Sequence, residues 1–290
     1  MTGAFFELLY FGVSLNVTGL RFAGAGAVNR LEYRQVTMRF AAKTGALTAI
    51  EDVSLSVADG EVVSLIGPSG CGKSTLLNIG AGLNAPTAGE VYVDGERVQG
   101  PNAHVAFMLQ KDLLLPWRTI AENVMFGAEI RGTESQQRHE KALALLHNFK
   151  LADFAGHYPH QLSGGMRQRA ALARTLAVDP TVLLLDEPFS AVDAQTRILL
   201  QYDLAQTLKS AGKTALLITH DLLEAVILSD RVLVMSPRPG HVIDEVKIDI
   251  PQREDPFARR RNPHVEGFVS RLMDRLDIGH PEQAAAAARA

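Results

Sequence analysis

Residues 67–75, Gly67-Pro68-Ser69-Gly70-Cys71-Gly72-Lys73-Ser74-Thr75, constrain this chain more than any other stretch, because they satisfy G-x-x-x-x-G-K-[ST]. The pattern has a function in one setting, a strand that feeds a glycine turn and then a helix. That setting is present: an apolar run ends at Ile66 and a helical pattern starts at Lys73. Gly67, Gly70 and Gly72 let the backbone curl until successive N–H groups converge on an anion, and the helix adds its positive end. Lys73 can then reach the β- and γ-phosphates of a nucleotide, and the Ser74 hydroxyl can ligate Mg²⁺. Cys71, the single cysteine, fills an unconstrained position of the loop. It has no internal disulfide partner and fits a reducing compartment. A loop of this kind implies nucleotide without fixing the chemistry, since kinases, GTPases and motors share it.

Around the loop, short runs read as strands at residues 31–40, 53–57, 61–66, 90–93, 104–109, 182–185, 215–218 and 231–235. Those at 182–185 and 216–218 are continuously apolar, and 62–66 is so apart from Ser64, as in parallel strands covered on both faces. The runs at 31–40 and 90–93 alternate, as in an antiparallel sheet with one wet face. Helical patterns cover 73–81, 134–149, 163–178 and 194–211, the last two following Ser163 and Asp193 as N-caps. Alternating strands and helices predict an α/β fold, a P-loop NTPase core with a mainly parallel sheet between helices. An antiparallel β subdomain and an inserted α-helical subdomain, at about 111–178, complete the expected architecture.

The nucleotide-binding domain is expected over 31–250. Residues 1–30 are apolar and Gly-rich, but Glu7 and Arg21 interrupt them and no basic n-region precedes them. They read as a disordered extension, with a membrane-surface contact as the alternative. Residues 251–290 read as an Arg- and Pro-rich stretch and an Ala-rich disordered tail. The Arg259-Arg260-Arg261 cluster reads as solvated, with anionic lipid as the alternative. A formal net charge of −3 at pH 7 offers no basic surface for nucleic acid.

Two further segments carry chemistry. Residues 182–188 deliver Asp186 and Glu187 at the C-terminal end of an apolar strand, the edge where ligands of open α/β sheets gather. Asp186 is placed to hold Mg²⁺ and Glu187 to polarise an attacking water. Leu162-Ser163-Gly164-Gly165-Met166 opens a long helix. Ser163 caps it, and the two glycines permit close approach of a phosphate oxygen.

Leu162-Ser163-Gly164-Gly165-Met166, followed by Arg167-Gln168-Arg169, resembles the signature motif of ABC ATPases. The other marks of that family follow in order: Gln110 after a strand, Ser190-Ala191-Val192-Asp193, and His220 in Ile218-Thr219-His220-Asp221. The resemblance spans about 31–249. It implies two ATP molecules clamped between two subunits, each phosphate loop facing the other subunit's signature. Ser163, Gly164 and Gly165 would then touch the γ-phosphate in trans, and Asp193 would reach the opposite loop. His220 would hold the γ-phosphate and position water. Gln110 would sense Mg²⁺ and report to the helical subdomain. Phe40 lies where the family stacks an aromatic on adenine, though a core position remains open to it; Tyr33 is the competing aromatic.

Gln110-Lys111-Asp112-Leu113-Leu114-Leu115-Pro116-Trp117-Arg118 and Met235-Ser236-Pro237-Arg238-Pro239-Gly240 are similar to the nitrate, sulfonate and taurine importer ATPases. That resemblance implies separate transmembrane permease subunits, a periplasmic or lipid-anchored solute-binding protein, and a peripheral place on the cytoplasmic face of the inner membrane. Trp117 would lie on the permease-docking surface or in the subdomain core. The alternatives are an ABC ATPase importing another small solute and a non-transport ABC ATPase, the latter without the coiled coil or basic surface usual there.

Overall fold

Strands with one wet face and strands buried on both faces sort into two separate sheets. The computed structural model describes residues 28–42, 45–190 and 192–277. Almost all of the extension at 1–30, and the Ala-rich end, lie outside the described residues.

The described residues open with β1 (Asn29–Ala42) and β2 (Gly45–Ala58), a long antiparallel ribbon. β3 (Val62–Ile66), buried at every position, leads through the glycine loop into α1 (Lys73–Gly80). Then come β4 (Ala88–Val93), β5 (Glu96–Arg97) and β6 (Val105–Met108). α2 (Ile120–Ile130), α3 (Ser135–Asn148) and α4 (Gly164–Ala177) follow, before β7 (Val182–Asp186) and α5 (Ala194–Ser210). The remainder is β8 (Thr214–Ile218), α6 (Leu222–Leu228), β9 (Arg231–Met235), β10 (Val242–Lys247), α7 (Pro256–Arg260) and α8 (Val265–Arg275).

The first sheet is antiparallel in the order β2-β1-β4-β5; the second runs β10-β9-β3-β8-β7-β6, parallel except for β10 at one edge. Side chains of a strand alternate between faces, and β7 uses both. Leu183 and Leu185 pack with α4 and α5, whereas Leu184 packs with α1 and the antiparallel sheet. Burying each such leucine contributes about 1.5–3 kcal/mol, so both faces commit the strand to the interior. Ile66, Val232 and Val234 form a third cluster with α6 and α8.

The helices between β6 and β7 are held by local polar chemistry. Thr119 caps α2 in a capping box: its hydroxyl accepts from Glu122 N at 3.3 Å, and its own N–H donates to Glu122 at 2.7 Å. Asn123, fully buried, accepts from Leu115 N and donates to the carbonyls of Leu115, Arg118 and Thr119.

The structure departs from the sequence pattern in several places. β2 starts at Gly45 instead of residue 53, because its first half is held by pairing with β1, Phe40 opposite Leu47 and Arg39 opposite Thr48. β10 was not anticipated either. Most of the described residues after 250 are helical, in α7 and α8, and the expectation of a solvated arginine cluster fails at Arg259. That side chain is 3% exposed and donates to the carbonyls of Pro251, Val226, Ile227, Ser229 and Ile250. The reason lies in α6, a seven-residue helix whose final carbonyls have no partner within it. Arg259 supplies the donors, and burial pulls its pKa down to about 10. No helix among the described residues is long and apolar enough to cross a membrane.

Candidate nucleotide site

β3 delivers the glycine loop to the C-terminal edge of the parallel sheet, and Gly72 closes it as the N-cap of α1 with φ of 108°. A side chain there would need a rare backbone conformation and would strike Ile50. Pro68, Ser69 and Gly70 line an exposed rim, whereas Cys71 is buried against the antiparallel sheet. Lys73 folds back into the loop, donating to the carbonyls of Gly67 at 2.7 Å and Pro68 at 3.0 Å. Its ammonium is thus inside the ring of backbone groups, where a phosphate oxygen can take over both hydrogen bonds. Thr75, half-buried, belongs to the first turn of α1.

Beside this loop Ser74, in the first turn of α1, faces Asp186 at the end of β7 closely enough for its hydroxyl to favour the charged carboxylate. Burial raises the Asp186 pKa, and the neighbouring Glu187 charge adds to the rise; Ser74 and Lys73 oppose it. A hydroxyl and a carboxylate that bears its charge at a cost are hard oxygen donors suited to a divalent cation, which would relieve that cost. Mg²⁺ fits this pair.

Glu187 occupies left-handed backbone, φ of 46°, anchored by its N–H to Ile218 O at 3.0 Å. This conformation is uncommon for a side-chain-bearing residue, and such strain gathers at functional sites. It turns the carboxylate toward two other elements. Gln110 Nε2 donates to Glu187 Oε2 at 3.0 Å, and His220 Nδ1 lies 3.2 Å from the same oxygen. Residues 110, 187 and 220, distant in sequence, therefore meet at one carboxylate next to Asp186. Gln110 keeps its Oε1 without a hydrogen bond among the described residues.

The second anion-binding helix start points elsewhere. Ser163 caps α4, accepting from Met166 N at 3.3 Å, and no hydrogen bond joins it to the glycine loop among the described residues. Gly164 is half-exposed, but Gly165 is buried, with Thr196 of α5 where its Cβ would be. Helix packing within the chain thus explains Gly165 on its own. Asp193 caps α5, accepting from Gln195 N, Thr196 N and the Thr196 hydroxyl, which lowers its pKa. Phe40 is 38% exposed beside Leu47 at 41% on the β1–β2 ribbon. Tyr33 is packed: 1% exposed, it donates to Leu76 O at 2.9 Å, and burial pushes its pKa up.

Some site-supporting residues escape sequence reasoning. Gln168, buried in α4, donates to Pro188 O at 2.6 Å and ties the signature helix to the acidic turn. Arg167 and Arg174 reach from α4 to the segment after Gln110, Arg167 to Asp112 at 3.0 Å and Arg174 to the carbonyls of Asp112 and Leu113. Glu224, 4% exposed, accepts from Thr219, the residue before His220, and from Gln201 of α5 at 2.8 Å. Desolvation raises its pKa. The D-x-x-E spacing of Asp221 and Glu224 at the start of α6 was the one available signal.

A family model described as ABC transporter matches residues 50–190. The taurine import ATP-binding protein TauB of Burkholderia pseudomallei is 47% identical over 227 residues, 78% of this chain and 85% of that protein. An uncharacterised ABC transporter ATP-binding protein of Methanocaldococcus jannaschii, MJ0412, is 45% identical over 226 residues, with the same two coverages of 78% and 85%. Among solved structures, the dimeric post-hydrolysis state of the ATP-binding cassette MJ0796 bound to ADP and Pi superposes with a TM-score of 0.68. It is 33% identical and covers 75% of this chain and 98% of its own.

Proposed function

Because this chain belongs to the ABC transporter ATPase family, we propose that it drives import of a small solute of the nitrate, sulfonate or taurine type. It is an ATP-binding and ATP-hydrolysing importer subunit. The solute class rests on one observation, 47% identity to a taurine import ATP-binding protein along 85% of that protein's length. In our reading the chain works as a pair on the cytoplasmic face of the inner membrane, docked on permease subunits that receive solute from a separate binding protein.

Hydrolysis is assigned to the residues that meet at Glu187. The loop 67–75 binds the triphosphate through backbone N–H groups and Lys73, and the exposed face of Phe40 stacks on the adenine. Glu187 polarises the attacking water, and His220 orients it against the γ-phosphate. Mg²⁺, held by Ser74 Oγ, the Asp186 carboxylate and Gln110 Oε1, would neutralise charge on the phosphate oxygens. Since Gln110 and His220 both lean on Glu187 Oε2, a water entering there changes both contacts at once. Ser163, Gly164 and Asp193 of one subunit act on the nucleotide held by the other. The chemistry is positioning and electrostatics throughout.

Two measurements test this reading. Purified Glu187→Gln should bind ATP as the parent does while turnover falls by roughly 10²-fold or more, the scale of losing a general base; near-parental turnover would remove Glu187 from the role. For the solute, the subunit is reconstituted with its permease and binding protein, and hydrolysis is measured with taurine, an alkanesulfonate and nitrate. Stimulation by one of them is expected, and failure of all three sinks the assignment.

A further inference from the structure

The motif Met235–Gly240, so far only a mark of resemblance, forms the outer wall of the glycine loop. Met235 Cβ and O lie 3.0 Å from where a Cβ on Gly67 would be, and the Cys71 carbonyl fills the Cβ place of Gly240. The turn holds this position on its own hydrogen bonds. Gly240 N donates to Ala49 O and Glu51 N to Gly240 O, each at 3.0 Å, while His241 N donates to Ser236 Oγ at 3.0 Å. From this fixed turn the exposed Arg238 reaches over the loop. Its Nη2 and Nε donate to Gly70 O at 2.9 and 3.1 Å.

Gly70 has φ of 74° and no side chain to restrict it, so its peptide would otherwise sample several orientations. A trans peptide is planar, with its C=O and N–H pointing in opposite directions. Pinning Gly70 C=O outward therefore aims the Cys71 N–H into the loop, where it now makes only a long hydrogen bond to Pro68 O, 3.3 Å. The guanidinium also polarises the peptide, which strengthens that N–H as a donor.

The geometry points to Arg238 as a positioning residue for ATP, which holds the Gly70–Cys71 peptide so that its N–H meets a phosphate oxygen. Arg238 need not touch the nucleotide. The inference rests on the assignment of residues 67–75 to the triphosphate.

The test is equilibrium binding of ADP and ATP to the full-length chain, with KM, kcat and nucleotide-free melting, for Arg238→Met, Arg238→Lys and Lys73→Ala. Loss of one charge-assisted hydrogen bond in an exposed setting predicts that Arg238→Met weakens both nucleotides about fivefold. KM should rise by a similar factor while saturating ATP recovers turnover, and the melting temperature without nucleotide should hold. Arg238→Lys keeps the charge but loses the two-donor fork, so it recovers only part of the affinity. The Arg238→Met deficit should persist at high salt. Parental affinity in Arg238→Met overturns the proposal. So does full recovery by Arg238→Lys with a deficit that salt abolishes, which would make Arg238 a mere surface charge, and so does a melting loss that accounts for the weaker binding. Lys73→Ala separates the two levels: weakened binding there with a silent Arg238→Met rejects only the positioning role. Parental binding in Lys73→Ala rejects the loop assignment together with it.

Discussion

Asp186 shows what one half-buried carboxylate costs a fold. Burial and the neighbouring Glu187 charge hold its pKa above the ordinary value, so the folded chain binds that proton more tightly than the unfolded chain does. Stability then falls as pH rises through the interval between the unfolded and folded pKa values, and the cost is fully present above the folded value. Asp186→Asn removes the charge and keeps the side-chain shape. It should raise the nucleotide-free melting temperature at neutral pH by about 2 °C, the effect of roughly 1 kcal/mol in a chain of this size, while turnover is lost. Because the parent regains the proton in acid, the difference in melting temperature should shrink as pH falls. A gap that grew on acidification, or a variant less stable than the parent at neutral pH, would show that the carboxylate is not strained by its setting. Calorimetry from mildly acidic to neutral pH reads both.

Among the elements, the short helix α6 ties the turn at His220 to the rest of the chain. Its N-terminal side carries His220, Asp221 and the buried Glu224, and its C-terminal carbonyls are held by Arg259 of α7. Arg259→Met would leave several buried carbonyls without donors, and unsatisfied buried groups cost about 1–3 kcal/mol each before relaxation. A net loss of about 3 kcal/mol in denaturant unfolding is expected, with faster amide exchange in α7 and α8; a loss under about 1 kcal/mol would make the arginine a passive filler. α6 and Arg259 also mark the limit of what sequence shows. The glycine loop, the Asp186–Glu187 pair and the Ser163 cap are legible because each is a local pattern whose chemistry lies within a few residues. The three-residue arginine run reads as surface because nothing nearby in sequence reveals that α6 lacks donors. β10 and the first half of β2 are legible only through their partners, since their conformation comes from pairing with β9 and β1. The same holds for Glu224, whose partners Thr219 and Gln201 are supplied by a strand end and another helix, and for Arg238, 168 residues from Gly70.

For the whole molecule the decisive question is which chain's α4 completes which chain's glycine loop. Each chain carries one loop and one signature helix, and within the described chain Ser163 has no hydrogen bond to the loop. A two-fold pair would bring each helix start to the partner's loop and make two equivalent sites. That geometry predicts complementation between two inactive variants. Lys73→Ala disables a loop. Ser163→Asp preserves the N-cap, since aspartate caps as well as serine, but sets a negative charge against the γ-phosphate. Each variant alone carries a defect in both of its sites and should be inactive. In a mixed pair the two defects fall into one site, where the Lys73→Ala loop faces the Ser163→Asp helix, and the other site is wild type throughout. An equal mixture holds about half mixed pairs, each with one intact site, so about a quarter of the parental rate should return if the sites work independently. If the signature helix served the loop of its own chain, every site in the mixture would keep a defect and no activity would return. Steady-state hydrolysis on mixing therefore distinguishes the two arrangements without a structure of the complex.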